Sequence, residues 1–260
     1  MQWEIYLERD TPVHRLDPRT KILSMLFSFV VLCYFQDPWW VLGLSAAVLL
    51  HGFWARSLPN LFHIRYILAV LSLSSLVLWN LFARGPTTLW GFVSVESLRY
   101  SVGRTLMMLA IALSGVTFLS TTRNEEMVIG LIRLGLPYRV GFAISAAMRM
   151  VPTIVGATAL VMQAQRSRGH DIDRGNPIRR IRNYAPLLIP VFISSIRGTH
   201  VLGMALESRA FGARKGRTYY LDPRMGTADY AALTLMAVAF LALTWARLCG
   251  FGLIPGLIKR

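Results

Sequence analysis

Five stretches of mostly apolar residues, near 22–36, 39–55, 66–82, 102–120 and 228–249, alternate with short polar or charged connections. About 20 apolar residues in a helix span a bilayer core, so each stretch is read as a membrane-spanning helix. The first is short, but Arg19 and Lys21 at its start can reach up to the headgroups along their alkyl stems. Trp39, Trp40, Trp79 and Trp90 cluster near segment ends that face one side, where an aromatic belt belongs.

Two further apolar stretches, near 140–162 and 185–206, are separated by residues 163–184, which carry Arg166, Arg168, Arg174, Arg179, Arg180 and Arg182 against Asp171 and Asp173. If both stretches crossed the membrane, this arginine-rich loop would lie outside, against the positive-inside bias. Residues 123–226 are therefore read as one cytoplasmic-side region, with 16 of the 28 Lys and Arg residues and six acids. The expected organisation is residues 1–122 with four transmembrane helices and an inside amino terminus, 123–226 with two long surface helices, and 227–260 with a fifth transmembrane helix. The long helices, Val140 to Arg168 and Pro186 to Phe211, would measure about 43 and 39 Å at ~1.5 Å per residue. Both are rich in Ala, Gly, Ser and Thr, which lets helices cross at close range, and Pro152 and Pro190 are expected to bend or break them. The fold class is an all-α integral membrane protein.

Composition agrees. Of 260 residues 54% are hydrophobic and 16% charged, with a mean hydropathy of +0.47, whereas soluble domains carry about a quarter charged residues. The net charge of +15 fits anionic lipid or an acidic partner, and the hydropathy argues against nucleic acid. Cys33 and Cys249 both lie in apolar segments and read as buried thiols without a disulfide. Met1 to Lys21 is too polar for a cleavable signal peptide.

One motif recurs. Ala164-Gln165-Arg166-Ser167-Arg168-Gly169 and Ala205-Leu206-Glu207-Ser208-Arg209-Ala210 share the pattern Ala-x-x-Ser-Arg-(Gly/Ala), each closing a long apolar segment, with Gly212 following the second copy. An arginine in a last helical turn meets the negative end of the helix dipole, and a glycine beyond it takes the left-handed cap. Two such endings in one basic protein point to a pair of arginine prongs for a partner, because the planar guanidinium suits carboxylates and backbone carbonyls.

Enzymatic candidates are weak. Gly212 to Thr218 lacks the Gly-Lys-(Ser/Thr) ending of a phosphate loop, and His170, Asp171 and Asp173 have no second cluster to complete a metal site. The spans are almost free of acids, which disfavours an internal cation relay. Met148, Met150, Met162 and Met204 on the long helices serve equally as an adaptable contact surface or as packing.

Several stretches together resemble the transmembrane T component of energy-coupling factor (ECF) transporters. They are His14-Arg15-Leu16-Asp17-Pro18-Arg19-Thr20-Lys21, Gly135-Leu136-Pro137-Tyr138-Arg139, Met148-Arg149-Met150-Val151-Pro152-Thr153 and the two arginine motifs, in the family's order. The first also reads as plain helix-start grammar, with Asp17 at N-cap, Pro18 at N1, and Arg19 and Lys21 at headgroup level.

The resemblance implies a non-catalytic membrane scaffold of a bacterial vitamin or metal-ion importer, sited in the cell membrane. Its docking motifs for two cytoplasmic ABC-type ATPases would be Ser167, Arg168 and Gly169, and Ser208, Arg209 and Ala210; the last is alanine where the family commonly has glycine. It further implies a small integral membrane subunit that captures substrate, ATP bound by the partner subunits, and no cofactor or metal on this chain. Two other readings stay open on the residues: a membrane-embedded lipid-modifying enzyme, and a conventional ABC importer permease with its own substrate path.

Overall fold

The computed structural model describes residues 11–84, 88–90, 93–169, 176–213, 223, 225–252 and 258–259. Asp171, Asp173, Arg174 and the basic loop 214–222 lie outside the described residues. Among those described, nine helices account for nearly all regular structure: α1 (Pro18–Tyr34), α2 (Pro38–Trp54), α3 (Leu58–His63), α4 (Arg65–Phe82), α5 (Val95–Thr121), α6 (Asn124–Arg133), α7 (Tyr138–Ser167), α8 (Pro177–Ser208) and α9 (Thr227–Leu248). Four two- or three-residue strands, β1 (Ala83–Arg84), β2 (Thr88–Trp90), β3 (Val93–Ser94) and β4 (Ile258–Lys259), form two antiparallel pairs, β1 with β4 and β2 with β3. The protein is an all-α integral membrane protein.

Helix starts follow local chemistry. Asp17 caps α1 by accepting from the Arg19 amide at 2.9 Å, and Pro18 takes the first helical position, where a missing N–H costs nothing. Pro38 opens α2 in the same way. In α5 Ser94 and Ser97 form a reciprocal capping box.

The helices divide into two compact units, residues 1–136 with 223–260, and residues 137–222. In the first unit α5 is the central post, touching α1, α2, α3 and α4. α5 carries buried Ser97, Ser101, Thr105, Ser114, Thr117 and Ser120 along its length, on more than one side. Several of these hydroxyls bond to the neighbouring segments. Asn80 of α4 donates to Ser101 (2.9 Å), Thr105 to Ser75 of α4 (3.1 Å) and Asn60 of α3 to Ser120 (2.8 Å), and Ser57 and Thr117 share a bond of 2.9 Å. Between lipid-facing helices such bonds replace the hydrophobic driving force that lipid cannot supply. Glycines allow the approach: a Cβ at Gly103 would meet the Gln36 carbonyl at 2.7 Å, and one at Gly52 the Thr117 hydroxyl at 3.3 Å. Leu32, Phe35, Val41 and Ala110 fill the gap between α1, α2 and α5.

In the second unit α7 and α8 pack together. They run for 30 and 32 residues, and Pro152, Pro186 and Pro190 interrupt neither. Among their described residues Gly141 and Leu187 alone are buried, and apolar side chains such as Val155, Leu160, Phe192 and Met204 stand exposed.

Among the described residues, five helices are long and apolar enough to cross a membrane: α4, α5, α7, residues 183–208 of α8, and α9. The set differs from the expected one. α1 and α2, expected to span, have 17 residues each, about 26 Å at ~1.5 Å per residue, the short end of what crosses a bilayer core. Length therefore leaves α7 and α8 able to span, and the arginine-rich connection between them is what argues otherwise. Cys33 and Cys249, expected to be buried, are both exposed free thiols. Neither is packed against the chain's own core.

Candidate docking site

The two arginine motifs occupy the same place in two helices. Arg168 is the C-cap of α7 (φ −86°, ψ 10°) and Arg209 the C-cap of α8 (φ −93°, ψ 15°). The next residue is left-handed in both, Gly169 at φ 80° and Ala210 at φ 53°. In α8 the amide of Ala210 donates to the Glu207 carbonyl (2.9 Å) and that of Phe211 to Leu206 (3.0 Å), the paired bonds of a Schellman ending. In α7 Gly169 donates to Arg166 (3.0 Å), matching the first of these. The sequence reading gave the second left-handed cap to a glycine past the arginine. In the structure Ala210 holds it, and Gly212 (φ 89°) shapes a further turn in which Ala213 donates to Ala210 (3.2 Å).

The serines are spoken for. Ser167 donates to the carbonyls of Ala164 (3.0 Å) and Gln163 (3.2 Å), and Ser208 to Ala205 (3.0 Å). Folding back on their own helices, they add no reach toward a partner. Arg168 and Arg209 are exposed, and among the described residues neither guanidinium has a hydrogen-bond or ion-pair partner. Each keeps its planar set of donors for an acceptor elsewhere.

The motifs are not brought together. Phe142 near the start of α7 lies 4.4 Å, ring centroid to centroid, from Phe211 just past the end of α8, and Tyr138 lies 6.1 Å from the same ring. This clasp sets Arg209 beside the beginning of α7. Arg168 lies 26 residues beyond Phe142 on the same helix, about 39 Å at ~1.5 Å per residue. The two guanidinium groups therefore mark opposite ends of an antiparallel pair. A single acceptor site could not hold both. The clasp was missed in the sequence, although Tyr138 lies in one of the stretches noted there; an aromatic at a helix start says nothing about which distant ring it will meet.

Of the methionines, Met148 and Met204 are exposed, so the packing alternative does not apply to them. Met204 lines an open apolar groove along one face of α8 with Phe192, Ile196, Thr199, Gly203 and Glu207. Among the described residues no three His, Cys, Asp or Glu side chains gather as a metal site.

Comparison with known proteins gives a consistent result. The cobalt transport protein family model (CbiQ) matches residues 9–220. The energy-coupling factor transporter transmembrane protein of Acidaminococcus fermentans is 30% identical, over 93% of this chain and 95% of its own. Those of Thermanaerovibrio acidaminovorans and Streptococcus thermophilus are 32% and 30% identical, covering 90% and 92% of this chain and 91% and 94% of theirs.

Proposed function

Since this chain belongs to the family of energy-coupling factor transporter transmembrane proteins, we propose that it is the scaffold through which two ABC-type ATPases drive a separate substrate-binding membrane subunit. It is a multi-pass membrane component of such a transporter, and its placement in a bacterial cell membrane is part of the same proposal. ATP is bound and hydrolysed by the partners, and this chain supplies the mechanical link.

One observation carries the reading. Two arginine caps of the same backbone geometry sit exposed at opposite ends of the α7–α8 pair, with no acceptor on this chain among the described residues. That separation calls for two sockets, one per ATPase. In each, the guanidinium would reach carboxylates or helix-end carbonyls, and losing one side of such a buried contact costs about 2–5 kcal/mol. The arginine-rich stretch 163–184 keeps α7 and α8 on the cytoplasmic side, where nucleotide is found. The apolar flanks that these helices leave uncovered then suit the substrate-binding subunit and the lipid surface. Vitamin or metal-ion uptake is the expected cargo class.

Purification of the complex with its native partners tests this. Arg168→Ala and Arg209→Ala should each leave one ATPase bound, the double variant none, and all three should lose uptake. Retention of both ATPases by the double variant would overturn the assignment.

A further inference from the structure

The run Asp17-Pro18-Arg19-Thr20-Lys21 is left without a function by the docking site, yet Asp17, Pro18, Thr20 and Lys21 are buried in a closely bonded corner of the first unit. Lys21 does not reach the headgroups as its position in the sequence implies. Its side chain is 3% exposed, and its ammonium donates to the carbonyls of His14 (2.8 Å) and Thr121 (2.9 Å) and faces a Glu126 carboxylate oxygen at 3.6 Å. Two hydrogen bonds to backbone carbonyls and one ion pair hold the ammonium. Thr121 is the last residue of α5 and Glu126 lies in the first turn of α6, so one amine grips both sides of the α5–α6 elbow from α1.

A second fastening lies one turn further along α6. A Cβ at Gly130 would meet Ile22 Cδ1 at 2.9 Å and Pro18 Cβ at 3.0 Å, so α6 rests almost backbone-close on the first turn of α1. A third ties α1 to α9: the Asp229 carboxylate accepts from the Asp17 amide (2.8 Å) through one oxygen and from the Gly226 amide (2.9 Å) through the other. α6 is also the last helix before the chain passes into the second unit at residue 137.

We propose that Lys21 is a positioning residue for energy coupling: it locks the α5–α6 elbow to α1, so that a displacement entering α6 carries α1 with it. The inference rests on the proposed function. A buried ammonium is a poor choice for stability alone, since apolar replacements of buried ion pairs are often neutral or stabilising. It is a good choice for a joint that must hold one geometry, because the amine bonds to backbone carbonyls at fixed positions and pairs with a carboxylate on the elbow itself.

Cys33 supplies the readout. It is an exposed free thiol on α1, and Cys249 is the other cysteine to remove. In the purified complex carrying Cys249→Ser, an environment-sensitive fluorophore on Cys33 should change its emission when ATP and vanadate are added. Lys21→Met should abolish that change in complexes that still hold both ATPases and hydrolyse ATP. Glu126→Gln, which leaves the ammonium and its carbonyl bonds in place, should reduce it.

An unaltered change in Lys21→Met, or no change in the unsubstituted complex, overturns the inference. Should Lys21→Met fail to fold, an undiminished change in Glu126→Gln overturns it equally. Absence of ATPases from the unsubstituted preparation would instead overturn the proposed function itself.

Discussion

Ala210 holds its backbone at φ 53° in the position that Gly169 holds at φ 80° one repeat earlier. The same cap is therefore built with and without a side chain. An alanine in the left-handed region costs roughly 1–2 kcal/mol relative to the right-handed one, whereas glycine adopts it freely.

Ala210→Gly should therefore stabilise the end of α8 by up to about 1 kcal/mol after the added freedom of the unfolded chain is subtracted. Gly169→Ala should destabilise the end of α7 by about the same amount. Amide hydrogen exchange in the last turn of each helix measures both, and a change of the opposite sign at either position contradicts the shared cap.

Arginine and lysine should not be interchangeable at 168 and 209. A lysine keeps the charge but loses the planar fork, and with it the pairs of parallel hydrogen bonds that a carboxylate or helix-end carbonyls can accept. Arg168→Lys and Arg209→Lys should each weaken ATPase binding by about 10-fold or more, a cost of at least ~1.4 kcal/mol. Titration of purified ATPases against the chain in nanodiscs gives the number. Undiminished affinity would mean that charge alone is read.

Gly103→Ala should be strongly disruptive in the first unit. The added methyl lies 2.7 Å from the backbone carbonyl of Gln36, which cannot swing aside as a side chain could. A loss of about 1–3 kcal/mol is expected for such overpacking. Gly43→Ala is the control, because a Cβ there meets nothing within 4 Å. Thermal unfolding in detergent should separate the two variants clearly.

Lys21 gives stability a pH dependence of known sign. Burial lowers its pKa from the usual 10.5, with Glu126, Asp17 and Asp229 pulling it back up. Because the folded value lies below the unfolded one, the unfolded chain binds more protons between them. This group's contribution to stability thus rises with pH across that window, which closes near 10.5, by no more than about 1.4 kcal/mol per pH unit. Unfolding midpoints of the wild type, measured against Lys21→Met, should climb as the pH is raised toward 10.5. A falling difference would reverse the sign assigned to the shift.

The helices were legible in the sequence because their ends are written locally. Pro18 and Pro38 open α1 and α2 close to where the apolar runs begin, and the expected 66–82 and 228–249 are α4 (Arg65–Phe82) and α9 (Thr227–Leu248) within one residue at each end. α5 starts seven residues before the expected 102, since its first turns carry Ser97, Arg99 and Ser101 and are held by a capping box that hydropathy does not see. The short α3 and amphipathic α6 escaped for the same reason. The unit boundaries at 136/137 and 222/223 fall inside the single region 123–226 read from charge, because α6 is defined by its packing on α1.

The arginine repeat was legible as a motif but not as a geometry. Both copies end a helix, and consecutive helices joined by residues 168–176 run antiparallel, so their carboxyl ends point apart. The burial of Lys21 could not be read at all. Its grip depends on Thr121, one hundred positions away, and local spacing places a lysine at a helix start in the headgroups by default.

The placement of Arg209 beside the start of α7, with Arg168 at the far end, has a mechanical consequence. Forces applied at two handles on opposite tips of a rigid bar cancel as a push when they are equal and opposed, and add as a torque. Were both tips gripped as proposed, the bar would turn about its middle, with the largest sweep at its tips and its centre as the pivot for a neighbouring subunit.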